Sequence, residues 1–167
     1  MNMTHYMQLL ADNQPWNLIF FMAVPVLLAE TVAITELFIL LNRVQHGALR
    51  TLNRAASVTG GFYFLGVFAY LMATAAIPLT LSGGWRGPAD VLAVGFYLLG
   101  VVPLLGMALM DLGWFGRRWD FHTQLKVHAG FVGGFLVVAH IAMIFGMLDP
   151  TLMGAASTAM GAGHVAH

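Results

Sequence analysis

Four apolar runs divide the chain: Trp16 to about Asn42, Ser57 to about Leu81, Ala89 to about Leu112, and Leu125 to about Leu148. Each is long enough to cross a hydrocarbon core of about 30 Å at a helical rise of about 1.5 Å per residue. None shows the alternation of a barrel strand, which would appear as segments of about ten residues. Lipid cannot satisfy free backbone groups, so the runs are predicted to be helices. The links are short: RVQHGALRTLNRA, SGGWRGPAD and GWFGRRWDFHTQ. Short links make successive helices antiparallel. The predicted fold is an all-α, four-transmembrane-helix, up-down-up-down bundle over residues 1–150, followed by a flexible Ala/Gly/Met/His tail over 151–167.

The polar positions give the bundle a direction. Arg43, Arg50 and Arg54 lie in the first link, and Arg117, Arg118 and Lys126 lie in or beside the third. Only Arg86 lies in the second, and neither terminus carries Lys or Arg. Cytoplasmic loops are enriched in these residues. Both termini are therefore expected outside, on the periplasmic or extracellular face of the inner (plasma) membrane. The first span should be retained, because no positive segment precedes it as in a secretory signal. Trp16, Trp85, Trp114 and Trp119 fall near the expected interfaces, where indole rings favour the headgroup region.

Composition sharpens the class. The 167 residues are 59% hydrophobic and 8% charged, against about 25% charged in a soluble domain. The lipid bilayer is thus the first expected partner. A net charge of zero argues against nucleic acid. The absence of cysteine excludes disulfides, thiolate metal sites and thiol catalysis.

Candidate chemistry sits on the first and last spans. Glu30 is about 13–14 residues from either end of its run, close to the bilayer centre, and Glu36 is nearer the cytoplasmic end. An ionisable group at that depth costs roughly 2.5–3.5 kcal/mol on insertion scales, so it should face the bundle and have a partner. A spacing of six turns the two carboxylates about 120° apart on a regular helix. Pro25 should kink the helix just above Glu30, and Pro78 and Pro103 should kink spans two and three. On the fourth span, His140 is expected level with Glu30, and His128 nearer the level of Glu36. A Glu30–His140 contact is predicted, direct or through water or a metal.

Three functional readings fit. The leading one is a permease-like bundle that handles protons or transition-metal ions, copper or iron, through Glu30, Glu36, His128 and His140. Met1, Met3, His5, Met7, Met153, Met160, His164 and His167 add soft ligands at the termini. A four-helix unit encloses little volume, so such a protein is expected as a homo-oligomer or with other membrane subunits. Another is a non-catalytic accessory subunit, with Gly60, Gly61, Gly66, Gly95, Gly100, Gly106, Gly130, Gly133 and Gly134 allowing close helix approach, mostly inside the bundle. A purely structural Glu–His hydrogen bond stands beside both. Asp111, Arg117, Arg118 and Asp120 read as an interfacial charge cluster, and His46 and His122 as solvated.

The third reading comes from a resemblance. Lys126-Val-His128-Ala-Gly130, followed by Gly133, Gly134 and His140, resembles the haem-bearing helix of small membrane b-type cytochromes of the cytochrome b561 and ferric-reductase-like groups. The resemblance covers the fourth span alone. It implies haem b held by His128 and His140 and an electron-transfer role. Spans one to three hold no histidine for the opposite axial position, so a Met, a single His or another subunit would have to supply it. The overall pattern also looks like small bacterial membrane proteins loosely labelled permeases. No phosphate loop, hydrolase elbow or zincin motif is present, which points away from an enzyme. An enzyme here would be a haem-dependent membrane oxidoreductase subunit.

Overall fold

The computed structural model describes residues 3–43 and 46–150. Among them a short helix α1 (His5–Ala11) precedes four long ones. These are α2 (Trp16–Asn42), α3 (Ala48–Ser82), α4 (Pro88–Asp111) and α5 (Phe121–Met147). All four are long and apolar enough to cross a membrane. The C-terminal tail, with Met153, Met160, His164 and His167, lies outside the described residues, as does Met1.

Two helices start well before their expected positions: α5 at Phe121, four residues before Leu125, and α3 further still. α3 begins at Ala48, nine residues before Ser57. Its first turns carry Arg50, Asn53 and Arg54, which hydropathy reads as a link. Tertiary contacts hold them helical: Asn53 is buried, and the Arg50 guanidinium lies 5.2 Å from the Phe121 ring centre.

The helices change form just ahead of their prolines. Each of α2 and α3 widens into one π-helical turn just before its proline, at Ile19–Ala23 ahead of Pro25 and at Met72–Ala76 ahead of Pro78. Pro25 offers no N–H to the carbonyls behind it. Two tyrosine hydroxyls take that place. Tyr63 donates to the Phe20 carbonyl at 3.0 Å, and Tyr97 donates to the Phe21 carbonyl. α4 is interrupted at Gly100, three residues before Pro103.

α3 packs along both α2 and the second half of α4, and α5 packs on α4. Phe64, Ile39, Leu104, Met107 and Val32 are fully buried between them. The outer surface is greasy instead of charged: Leu41, Leu81 and Met147 are each at least 68% exposed. A water-soluble bundle would bury such side chains. The arrangement suits lipid, where van der Waals packing holds helices together. Gly61 supplies the closest approach, since a Cβ there would sit 2.4 Å from Ala108 Cβ and 2.7 Å from the Leu104 carbonyl oxygen. Gly66, Gly95, Gly130 and Gly133 face open space, so fewer of the glycines serve internal packing than the sequence suggests.

α1 closes the end of the bundle where α4 starts and α5 ends. Its N-cap Thr4 donates to the Gly146 carbonyl at 2.8 Å. The Asp90 carboxylate, fully buried, accepts from the His5 backbone N–H at 2.6 Å and lies 2.5 Å from His5 Nδ1. Arg86 reaches the Met3 carbonyl and the Gln8 side chain.

Candidate functional site

At the opposite end of the bundle, every long helix contributes a polar side chain to one buried cluster. Glu36 comes from the last turns of α2, and Ser57 from the first half of α3. Asp111 ends α4, and His128 lies two turns into α5. The imidazole is the hub. Its Nδ1 is 3.2 Å from Glu36 Oε2, while its Nε2 is 3.1 Å from Asp111 Oδ2 and 3.3 Å from Ser57 Oγ. The side chains of His128 and Glu36 are 4% and 3% exposed, and that of Asp111 is 12% exposed. Apolar walls of this kind leave charge no water to lean on, so polar groups must satisfy one another. One atom is left over: Glu36 Oε1 is buried with no hydrogen-bond partner among the described residues.

A neighbouring layer stiffens the cluster. Asn53 donates to the Val32 carbonyl at 3.1 Å and to Thr35 Oγ1 at 2.9 Å, tying α3 to α2 one residue from Glu36. Asp111 and His128 also border a small cavity of about 20 Å³ with Arg50, Asn53 and Gln124. That is room for about one water.

The mid-membrane pair is arranged otherwise. Glu30 and His140 are both exposed. Glu30 sits in a stripe with Leu27 and Ile34, and His140 in a stripe with Val137 and Ile144, all of them more than half exposed. These stripes form the outward, apolar faces of α2 and α5. No hydrogen bond joins Glu30 to His140 among the described residues, so the direct contact expected from the sequence is not made. Helix phase explains this. Glu36 and His128 point inward, and six residues from Glu36 and twelve from His128 each turn the chain about 120° away. Depth differs as well: at about 1.5 Å per residue, His140 lies roughly 9 Å further along its helix from the cluster than Glu30 does.

Both nevertheless line one cavity of about 170 Å³ between α2 and α5, floored by Phe64, Tyr97, Gly100 and Phe135 and closed toward α1 by Tyr6. Burial pushes the Tyr6 hydroxyl up to about 12, so it stays protonated. His140 Nδ1 is 2.6 Å from the Leu136 carbonyl oxygen. A carbonyl only accepts, so Nδ1 carries the ring proton and Nε2 of the neutral ring is an acceptor.

The four sequence-predicted residues therefore form two separate pairs. Among the described residues no group of three or more His, Cys, Asp or Glu side chains could hold a metal ion. The carboxylates of Glu36 and Asp111 face different nitrogens of the His128 ring, so the three side chains do not converge on one point. Both ring nitrogens of His128 face protein oxygens, and the adjoining space holds about 20 Å³. His5 belongs to the α1 latch through Asp90.

Sequence reading missed Ser57, Asn53 and Asp111. Asp111 ends a run of twenty residues without a charge, and this was the available signal that it is an intramembrane group. Its nearness to Arg117, Arg118 and Asp120 instead suggests an interfacial charge cluster. Asp120 has a different task, capping α5 by accepting from the Thr123 N–H at 3.2 Å and its hydroxyl at 2.6 Å. Those bonds hold the Asp120 carboxyl below the usual carboxylate range.

No curated protein and no solved structure matches the chain. A profile described as a family of unknown function, DUF6803, matches residues 1–162, and the chain belongs to that family.

Proposed function

We propose that this chain is a proton-handling protein of the inner (plasma) membrane, whose helices alternate in direction and whose termini face outward. The observation that carries the reading is the buried imidazole of His128 held between two carboxylates, with Glu36 on Nδ1 and Asp111 on Nε2. An imidazole can accept a proton on one nitrogen and release one from the other without rotating. In one transfer, the proton on Glu36 Oε2 passes to Nδ1 as that O–H bond breaks. The proton on Nε2 then passes to Asp111 Oδ2. Ser57 lies within reach of Nε2 and holds the ring in register. The unpartnered Glu36 Oε1 is where a proton donor approaches from the membrane interior. The small cavity at Asp111, beside Arg50 and Gln124, is the way out toward the basic end of the bundle.

Protons are favoured over metal ions because both nitrogens of His128 already face protein oxygens. Intramembrane carboxylate–imidazole chains of this kind suit proton relays. Purified protein in liposomes with an entrapped pH dye tests the reading. An imposed potential is expected to drive proton entry well above empty liposomes. Glu36→Gln and His128→Gln are expected to remove at least about nine-tenths of that flux, in keeping with the roughly hundredfold value of a positioned acid or base. Flux that persists in folded His128→Gln protein overturns the proposal. So does wild-type protein that conducts no better than lipid alone.

Association with a second copy or other membrane subunits has its own support. Gly130 and Gly133 lie exposed on one face of α5 with no atom near their Cβ positions. Small residues on a lipid face let another helix approach closely.

A further inference from the structure

The cavity between α2 and α5 is unlike the buried cluster in chemistry and in access. It opens among the outward-facing stripes of both helices, within their apolar spans. Two polar groups stand at that mouth, Glu30 and His140. Both offer acceptors to a positive ligand: Glu30 once its proton has passed to that ligand, and His140 through Nε2, because Nδ1 donates to the Leu136 carbonyl. Behind them the walls are aromatic, with Phe21, Phe64, Tyr97 and Phe135. The Tyr97 hydroxyl is turned away to the Phe21 carbonyl, which leaves the ring to the cavity. No described residue places a cation or a hydrogen-bond donor against Glu30.

Each feature selects the same occupant. A carboxyl with no partner asks for a base to take its proton, the carboxylate so formed asks for a positive charge, His140 Nε2 asks for a donor, and π-faces attract cations. Access through lipid asks for an apolar body. A flat helix from a second copy could cover the mouth but could not fill the recess behind it. We propose that this cavity binds hydrophobic amines in their cationic form, with the Glu30 carboxylate as counter-ion. The amine enters from the bilayer as the neutral base. It takes the proton of the Glu30 carboxyl, so that the O–H bond breaks and an N–H bond forms. The resulting ammonium is held by the carboxylate, by His140 Nε2 and by the rings. This site stands whether or not His128 relays protons.

Tritium-labelled propranolol, an aryl-bearing secondary amine, is a suitable probe for binding to the detergent-solubilised full chain. Saturable binding is expected. Glu30→Gln is expected to weaken it about thirtyfold or more, the scale of removing one partner of a desolvated charge pair. Glu30→Asp should keep most of it. Glu30 is exposed, so the amide variant should melt as the wild type does. Infrared difference spectra of the unaltered protein give a second reading that needs no variant: amine binding should remove a protonated-carboxyl stretch and add a carboxylate one. Equal binding by folded Glu30→Gln protein overturns the proposal, as does an unchanged carboxyl band. Displacement by neutral decylubiquinol at lower concentration than by amines would assign the cavity to a neutral ring lipid. A stable dimer in native mass spectra that excludes the amine would assign the face to a second copy. Either result overturns the proposal.

Discussion

Among the glycines, position alone separates those that hold helices together from those that do not. A methyl group at Gly61 would meet the Ala108 Cβ at 2.4 Å and the Leu104 carbonyl, and a backbone atom cannot swing aside as a side chain can. Gly61→Ala must therefore push α3 and α4 apart. Overpacking of this kind typically costs about 1–3 kcal/mol. At Gly95 a methyl would meet nothing within 4 Å. Gly95→Ala should be neutral or stabilising by up to about 1 kcal/mol, through helix propensity alone. Thermal melts in one detergent should show a lowered midpoint for Gly61→Ala and none for Gly95→Ala; equal midpoints would contradict the packing assigned to Gly61. Both are glycines in apolar helices, and the sequence does not tell them apart because it does not reveal which face turns inward. The same gap decides Glu30 and His140. Their angular offsets from Glu36 and His128 follow from counting, but which member of each pair is buried depends on where Ser57 and Asp111 stand.

At the scale of elements, the four long helices were legible because hydropathy averages over a whole span. α1 was not, because its anchors are remote: Thr4 bonds to a residue 142 positions away, and His5 to one 85 away. The start of α3 was hidden for the opposite reason, since Arg50, Asn53 and Arg54 lower the local average while tertiary contacts keep them helical. Asp90 is the key to α1. It receives the His5 N–H, the Arg86 N–H and the His5 ring, and it is fully buried. Hydrogen bonds to a charged group contribute about 1.5–3 kcal/mol. Asp90→Ala should therefore speed amide exchange across His5–Ala11 by about 10- to 100-fold. Protection in α2 to α5 should stay as it was. Unchanged protection of α1 would mean that Tyr6, which packs against Gly146 and Tyr97, holds the helix without the carboxylate.

For the molecule as a whole, the two ends of the bundle differ in charge as well as in contents. Of the seven Lys and Arg residues, Arg86 alone belongs to the end that α1 closes. The other six gather at the end that holds Glu36, Asp111 and His128. If that end faces the cytoplasm, the Glu36–His128–Asp111 cluster lies in the inner half of the membrane and α1 lies on the outer face. The chain has no cysteine, so a single one introduced at an exposed position reports its side without background. Asn13, in the turn after α1, and His122, in the first turn of α5, are both exposed and lie at opposite ends. In intact spheroplasts, a membrane-impermeant maleimide should label Asn13→Cys and leave His122→Cys unlabelled until the membrane is opened. Neither change alters the Lys and Arg count that sets orientation. The reverse pattern would place the basic end outside. It would also turn the direction assigned to His128 around, because the small cavity at Asp111 would then open to the outer face.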